Sequence, residues 1–414
     1  MLRRHTGIGA LVLLCLSWTG SATLAATITW TGSVDSNWSD SGNWVGGVPQ
    51  PNDRLSFFDA PGTRNSVNDL AAGIVYDDIS FLDAGYTLGG NGIGLTNGIT
   101  SHSGSNTVNL PITLQASQTF NASQLTLGGL IDIGSHTLSL GAAYGTVAVN
   151  GDITGSGTVK ILNQVTMTGN KSYTGPTQIT NDGGLTLNGS SLASSGVSLS
   201  GFGSTTLAGS GTIGPLTTTP VWFGQVIPYG ILNTGDVNLG GSTYLNVSLN
   251  GPTAGVDYGQ LNVTGTVTIG STTNLSFYVT YVPSVGQTFV LINNDDDDPI
   301  DGTFNGAPEG TIFSIDASEY VLSYEGGDGN DVVLTCTVAA KAWSGAVDHL
   351  WSKPGNWAGQ VPGTGDPLLF PSTAANKDNS NDLPSDTYAQ LLFTGSGYTL
   401  GGNGIGLTNG ITSH

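Results

Sequence analysis

VNLPITL (108–114), QLTLGGLIDI (124–133), HTLSLG (136–141), TVAVNGDI (146–153) and GTVKIL (157–162) follow one another almost without interruption. QVTMTG (164–169), GLTLNG (184–189), VSLSG (197–201) and TTLAG (205–209) continue the series. Most of these runs alternate apolar with small polar residues, and most end at or beside Gly, Asn or Asp. Period-two alternation in short, evenly spaced segments is the signature of a sandwich, a barrel or a solenoid. The run is long and monotonous, its turns are Gly/Asn/Ser-rich rather than Asn-Gly hairpins, and Leu, Val and Ile recur on one face. Stacked coils would align such positions into continuous apolar rows. The expected fold is therefore all-β, a right-handed parallel β-helix over about 105–215.

Working outward, the character changes after Gly211. IGPLTTTPVWFGQVIPYG (213–230) holds three prolines, and longer strands follow in TYLNVSLN, TNLSFYVTYV and TFVLINN. Residues 216–338 are expected to be a β-rich terminal segment, a sandwich-like cap covering the unpaired end of the last coil. Upstream, 27–104 carries Trp30, Trp38 and Trp44 and is expected to form an N-terminal cap and the first coils. That opening recurs: Trp343, Trp351 and Trp357 repeat the spacing of eight and then six, and GYTLGGNGIGLTNGITSH occurs at both 85–102 and 397–414. Residues 339–414 are thus the start of a second module. The duplicated opening stops before any regular coil, so the natural protein is expected to continue past His414.

The stretch GSGTVKILNQVTMTGNKSYTGPTQITNDGGLTLNG (155–189) resembles the autotransporter-associated β-strand repeat. Gly155, Gly157, Val159, Met167, Gly169, Tyr173, Gly175, Thr177, Gly184 and Leu185 carry the resemblance. Lys171 stands where that repeat has Asn. DYGQLNVTGTVTIG (257–270) and LSYEGGDGNDVVLT (322–335) resemble the closing segment of such passengers. The resemblance implies a passenger-like β-helix displayed at the cell surface or outer membrane, without a catalytic signature.

Composition agrees with export. Arg3 and Arg4, the apolar stretch 8–16 and SATLAA (21–26) have the layout of a secretory signal peptide, residues 1–26, cleaved after Ala25 or Ala26. Leu14 disfavours a lipoprotein reading of Cys15, since a small residue is expected there. Cys336 is then the one remaining cysteine, so stability must come from burial rather than disulfides. The chain has 64 glycines among 414 residues and a net charge of −20. That charge argues against nucleic acid as a partner, since phosphate binding needs clustered Lys and Arg. No transmembrane helix is expected in the mature chain.

The candidate site residues are few. Spaced indoles can stack sugars, which makes Trp30, Trp38, Trp44, Trp343, Trp351 and Trp357 candidate glycan contacts. Their place at a solenoid opening favours the alternative, that they fill and close the first coil. GGDGNDVVL (326–334) fits one calcium nonapeptide, and NNDDDD (293–298) clusters carboxylates, so Asp328, Asp331, Asp295, Asp296, Asp297 and Asp298 are weak calcium candidates. A Gly-rich turn and a solvated loop are the expected readings, and no cofactor is expected. His102, His136, His349 and His414 lack metal or catalytic spacing, and no nucleophile elbow is present. The expected function is a non-catalytic, exported β-solenoid for adhesion or scaffolding, touching extracellular polysaccharide or cell-surface matrix. The alternative is a carbohydrate-active β-helix enzyme, a polysaccharide lyase or a hydrolase using a carboxylate pair such as Asp132 and Asp152.

Overall fold

The computed structural model describes residues 25–59, 61–141, 145–192, 196–295 and 297–414. All but the end of the signal-like segment therefore lies outside the described residues. The protein is all-β, 54% strand and 2% helical, wound into a β-solenoid of about 17 turns. Among the described residues, no helix is long and apolar enough to cross a membrane.

The organising feature is a set of inward rows running along the stack. One row passes through Ile28, Leu55, Ile79, Ile99, Phe120, Leu140, Ile161, Ile179, Leu199, Thr218, Leu239 and Ile269. Every member is buried. A second face aligns Leu125, Val147, Val165, Leu185, Leu207, Val226, Leu245 and Leu275. A third begins with Ile93, Ile112, Ile131 and Ile153. Each coil takes about twenty residues, because each face uses a short strand and each corner a tight turn. The alternation read from the sequence puts Leu, Val and Ile inside and leaves Ser139, Lys160, Gln178 and Ser198 on the outer wall of the first face. Thr218 is the polar member of its row, and its hydroxyl donates to Gly240 O at 3.0 Å.

The structure corrects the boundary expected near 216. Leu216–Thr234, Val237–Leu239, Thr243–Leu249, Gln260–Val263, Val267–Ile269 and Asn274–Val279 remain parallel and in register with the coils before them. The coil merely lengthens, to thirty residues between Leu239 and Ile269. Beyond the short pairing of Thr27–Trp30 with Trp44–Val45 in the first turn, the antiparallel ladders among the described residues gather at the end, where Ile312–Ile315, Ser318–Gly326 and Asp331–Val338 fold against one another and against Thr288–Asn294. Phe289, Leu291, Tyr320, Leu322 and Leu334 from this closing layer are buried in the continuous core. The closing layer is thus a small antiparallel cover rather than a sandwich.

Both Trp-containing openings are built alike. Trp30 and Trp44 meet edge-to-face at 4.9 Å, and Trp38 and Trp44 at 5.6 Å. The corresponding distances in the second opening are 5.0 and 5.4 Å. Asn43 ties the first turn together: its Oδ1 accepts from the amides of Val34 and Asp35, and its Nδ2 donates to Asp35 Oδ1 and Asn37 O. Asn356 makes the same four bonds to Val347, Asp348 and Leu350. Gly90 and Gly402 have φ of 99° and 93°, and a Cβ at either would lie 2.3 or 2.2 Å from a carbonyl of the preceding coil. Only glycine fits that approach.

The duplicated eighteen residues provide an internal comparison. In the first copy Tyr86, Leu88, Ile93, Leu95 and Ile99 are all buried, because the coils of Ile112–Leu114 and Gln118–Leu127 lie on them. In the second copy Tyr398, Leu400, Ile405 and Leu407 are half-buried. Ile411, the counterpart of Ile99, is 64% exposed against 0%. Burial is therefore set by the next coil, not by local sequence. Ile99→Ala is expected to cost about 2–5 kcal/mol of unfolding free energy, and Ile411→Ala less than about 0.5 kcal/mol. Denaturant titration of the two variants checks this, and equal losses would contradict the stacking account.

Candidate functional site

The six tryptophans singled out from the sequence are not available to a ligand. All are buried. The indole N–H of Trp30 donates to Thr63 O at 2.8 Å, that of Trp38 to Ser66 Oγ at 2.5 Å, and that of Trp44 to Trp38 O at 3.0 Å. Trp343, Trp351 and Trp357 donate in the same way to Asn376 O, Asn379 Oδ1 and Trp351 O. With the rings packed face and edge into the core, the glycan-contact reading of these residues is corrected: they close the coil. The arginines serve the same end of the first stack. Arg54 pairs with Asp77 at 2.8 Å, and Arg64 pairs with Asp83 at 2.6 Å while lying over the Tyr86 ring.

The two calcium candidates, distant in sequence, are brought together. Asn294 and Asn330 are buried, and their Nδ2 groups donate to Asp298 O at 2.7 and 3.1 Å. Asn330 also donates to Asp295 O at 3.1 Å, and Asp331 accepts from the Asn294 amide at 2.9 Å. Burial pushes the Asp331 carboxyl above the usual carboxylate range. Asp297, Asp298 and Asp328 are exposed, and Asp296 lies outside the described residues. Asn294 Nδ2 thus closes the 294–298 turn, and Asn330 Nδ2 ties that turn to the 330–331 turn. Among the described residues, no group of three His, Cys, Asp or Glu side chains is placed to hold a metal ion.

Asp132 and Asp152 each serve a turn. Asp132 accepts from the Gly134 amide at 3.0 Å, and Asp152 from the Ser172 amide and hydroxyl at 2.9 and 2.7 Å. His102 and His349 are exposed, and His136 is half-buried in a turn, its backbone amide donating to Ile133 O. Lys171, the departure from the repeat pattern, is buried. Its ammonium donates to Thr168 O, and desolvation lowers its pKa.

The surface instead carries a feature that sequence reasoning passed over. At one corner of the solenoid, Phe202, Trp222, Phe223 and Tyr244 project from three consecutive coils. Phe202 is 80% exposed and Trp222 70%. Their rings meet edge-to-face at 6.1 Å, and those of Phe223 and Tyr244 lie 5.1 Å apart at 44°. Register brings them together: Gly201 pairs with Val221, Ser204 with Phe223, and Gln225 with Tyr244. Phe202 is held out by its neighbours, since Gly201 and Gly203 have φ of 100° and 125°. A Cβ on either would strike the side chains of Asn181 or Asp182 in the coil below. Beside the rings runs a polar row, with Gln225 Nε2 donating to Ser204 Oγ at 3.3 Å and Asn246 Nδ2 to Gln225 Oε1 at 3.4 Å. The available signal was bulk: WF at 222–223 and a Phe between glycines stand where other corners have Gly, Asn or Ser. A cavity of about 280 Å³ lies at the seam with the second module, lined by Tyr278, Tyr281, Asp316, Tyr320, Pro371 and Thr373 among others.

Comparison of the chain with protein-family models, with curated proteins and with solved structures finds no match.

The amide-to-carbonyl ties between 294–298 and 330–331 give a direct expectation. A chelator should leave the melting temperature nearly unchanged, whereas Asn294→Ala should lower stability by about 1 kcal/mol by removing the Nδ2 bond to Asp298 O. Thermal melts with and without chelator check this. A large drop on chelation would show that a cation belongs to the fold.

Proposed function

We propose that the chain is an exported, non-catalytic β-solenoid of the autotransporter-passenger kind, held at the cell surface or released, where it works in adhesion or as a matrix scaffold. The observation that carries this reading is the exposed aromatic corner mounted on a rigid stack. Two pairs of ring contacts strung over three consecutive coils, with Phe202 and Trp222 largely exposed, mark a contact surface rather than an incidental exposure. The signal-like residues 1–26, the acidic and cysteine-poor composition and the β-solenoid architecture support the same reading.

Two measurements test it. In the producing cell, the protein outside the cytoplasm should begin at Ala26 or Thr27, and it should sediment with insoluble extracellular matrix. Retention in the cytoplasm with residues 1–26 intact, or no association with matrix, would refute the proposal. The purified chain should also release no reducing or unsaturated sugar ends from neutral or acidic polysaccharides. Release abolished by substituting a single carboxylate would replace adhesion with catalysis.

A further inference from the structure

We propose that the corner formed by Phe202, Trp222, Phe223 and Tyr244 is a stacking platform for a neutral, β-linked polysaccharide lying along the solenoid axis. The proposal rests on the reading of this corner as the contact surface and names what it contacts.

Three properties select that ligand. The first is spacing. The rings come from three consecutive coils, and coils in parallel register recur every ~4.8 Å along the stack. A β-1,4-linked pyranose chain is a flat ribbon whose rings recur at nearly the same interval, so successive sugars can meet successive coils. The second is the alternation of apolar and polar groups. A pyranose presents C–H bonds on its faces and hydroxyls around its rim. The corner presents two ring pairs, Phe202 with Trp222 edge-to-face at 88° and Phe223 with Tyr244 tilted at 44°, so one ring of each pair can turn its face to a sugar, with the amides of Gln225 and Asn246 alongside. Aromatic side chains have few torsions to immobilise, and the paired strands beneath them are already fixed, so little ordering opposes binding.

The third property is charge. The chain carries a net charge of −20, and the carboxylate at the rim of the corner is Asp182, whose Oδ1 accepts from the Ser204 amide at 2.8 Å. A polyanion such as alginate would meet repulsion here, whereas a neutral glycan would not. An apolar protein partner would want one contiguous disc of rings with a polar rim. Here the rings are strung along the stack with amides down one side.

The test is native electrophoresis of the full chain in gels containing hydroxyethylcellulose, galactomannan or alginate. Wild-type protein should be retarded by at least one of the two neutral glycans and not by alginate. Combining Phe202→Ala with Trp222→Ala should weaken the retardation at least tenfold, while Trp222→Phe should keep part of it. Both side chains are exposed, so an unchanged melting temperature will show that the variants remain folded. Absence of retardation by either neutral glycan, equal retardation of the double variant, or stronger retardation by alginate would overturn the proposal. So would a wild-type dimer that the double variant converts to monomer without any glycan response, since the corner would then bury a second copy. Sedimentation with matrix separates the two ideas. Matrix binding without glycan retardation overturns the platform and leaves the adhesive reading standing, and loss of both overturns both.

Discussion

Everything in this structure depends on coils lying in parallel register on one another. A single coil has a row of unpaired backbone groups on each edge and an apolar interior only one residue thick. Neither is stable in water alone. Stacking solves both at once: each strand satisfies its neighbour's amides and carbonyls, and each inward side chain is covered above and below by its equivalents. The row from Ile28 to Ile269 is the physical expression of that rule. The same rule makes the two ends the costly places. The first opening is closed by three interlocked indoles, each with its N–H bonded. The far end of the first module is closed by antiparallel strands that turn their apolar faces onto the last coil.

The repeated eighteen residues separate local from neighbouring influence more cleanly than any designed variant. Identical chemistry yields parallel strands in both places, so the extended conformation and the glycine turns are local properties. Burial is not. Ile99 lies between Ile79 and Phe120 and is buried, whereas Ile411 pairs with Leu391 and is exposed. This also shows why the Trp triplets could be recognised as a structural device: both copies keep the same spacing, the same ring contacts and the same asparagine tie, although Ser66 in one is replaced by Asn379 in the other as an indole acceptor.

The stack was legible in the sequence wherever strands were short and alternation strict, as over 108–209. It became illegible beyond Leu216, where coils lengthen, Pro220 and Pro228 interrupt the pattern and long strands resemble those of a sandwich. Register then continues through contacts that no local window contains, such as Leu239 with Ile269. The candidate sites divide the same way. Burial of the tryptophans followed from their place at an opening. The meeting of Asn294 with Asp331 depends on an antiparallel return across 37 residues. The aromatic corner depends on residues about twenty apart falling into adjacent turns. Its members look unrelated along the chain and become neighbours only once the coil length is known.

Cross-linking across outward, in-register positions measures that coil register most directly. Cysteines at Ser139 and Lys160 would occupy paired positions on adjacent coils, within the distance that a disulfide spans, whereas Ser139 and Gln178 are two coils apart and beyond it. Cys336 is buried and does not compete. Mild oxidation should close the 139/160 pair rapidly in the folded protein and leave the 139/178 pair open. Failure of the first pair to close, or equal closure of both, would contradict a parallel solenoid with about twenty residues per coil.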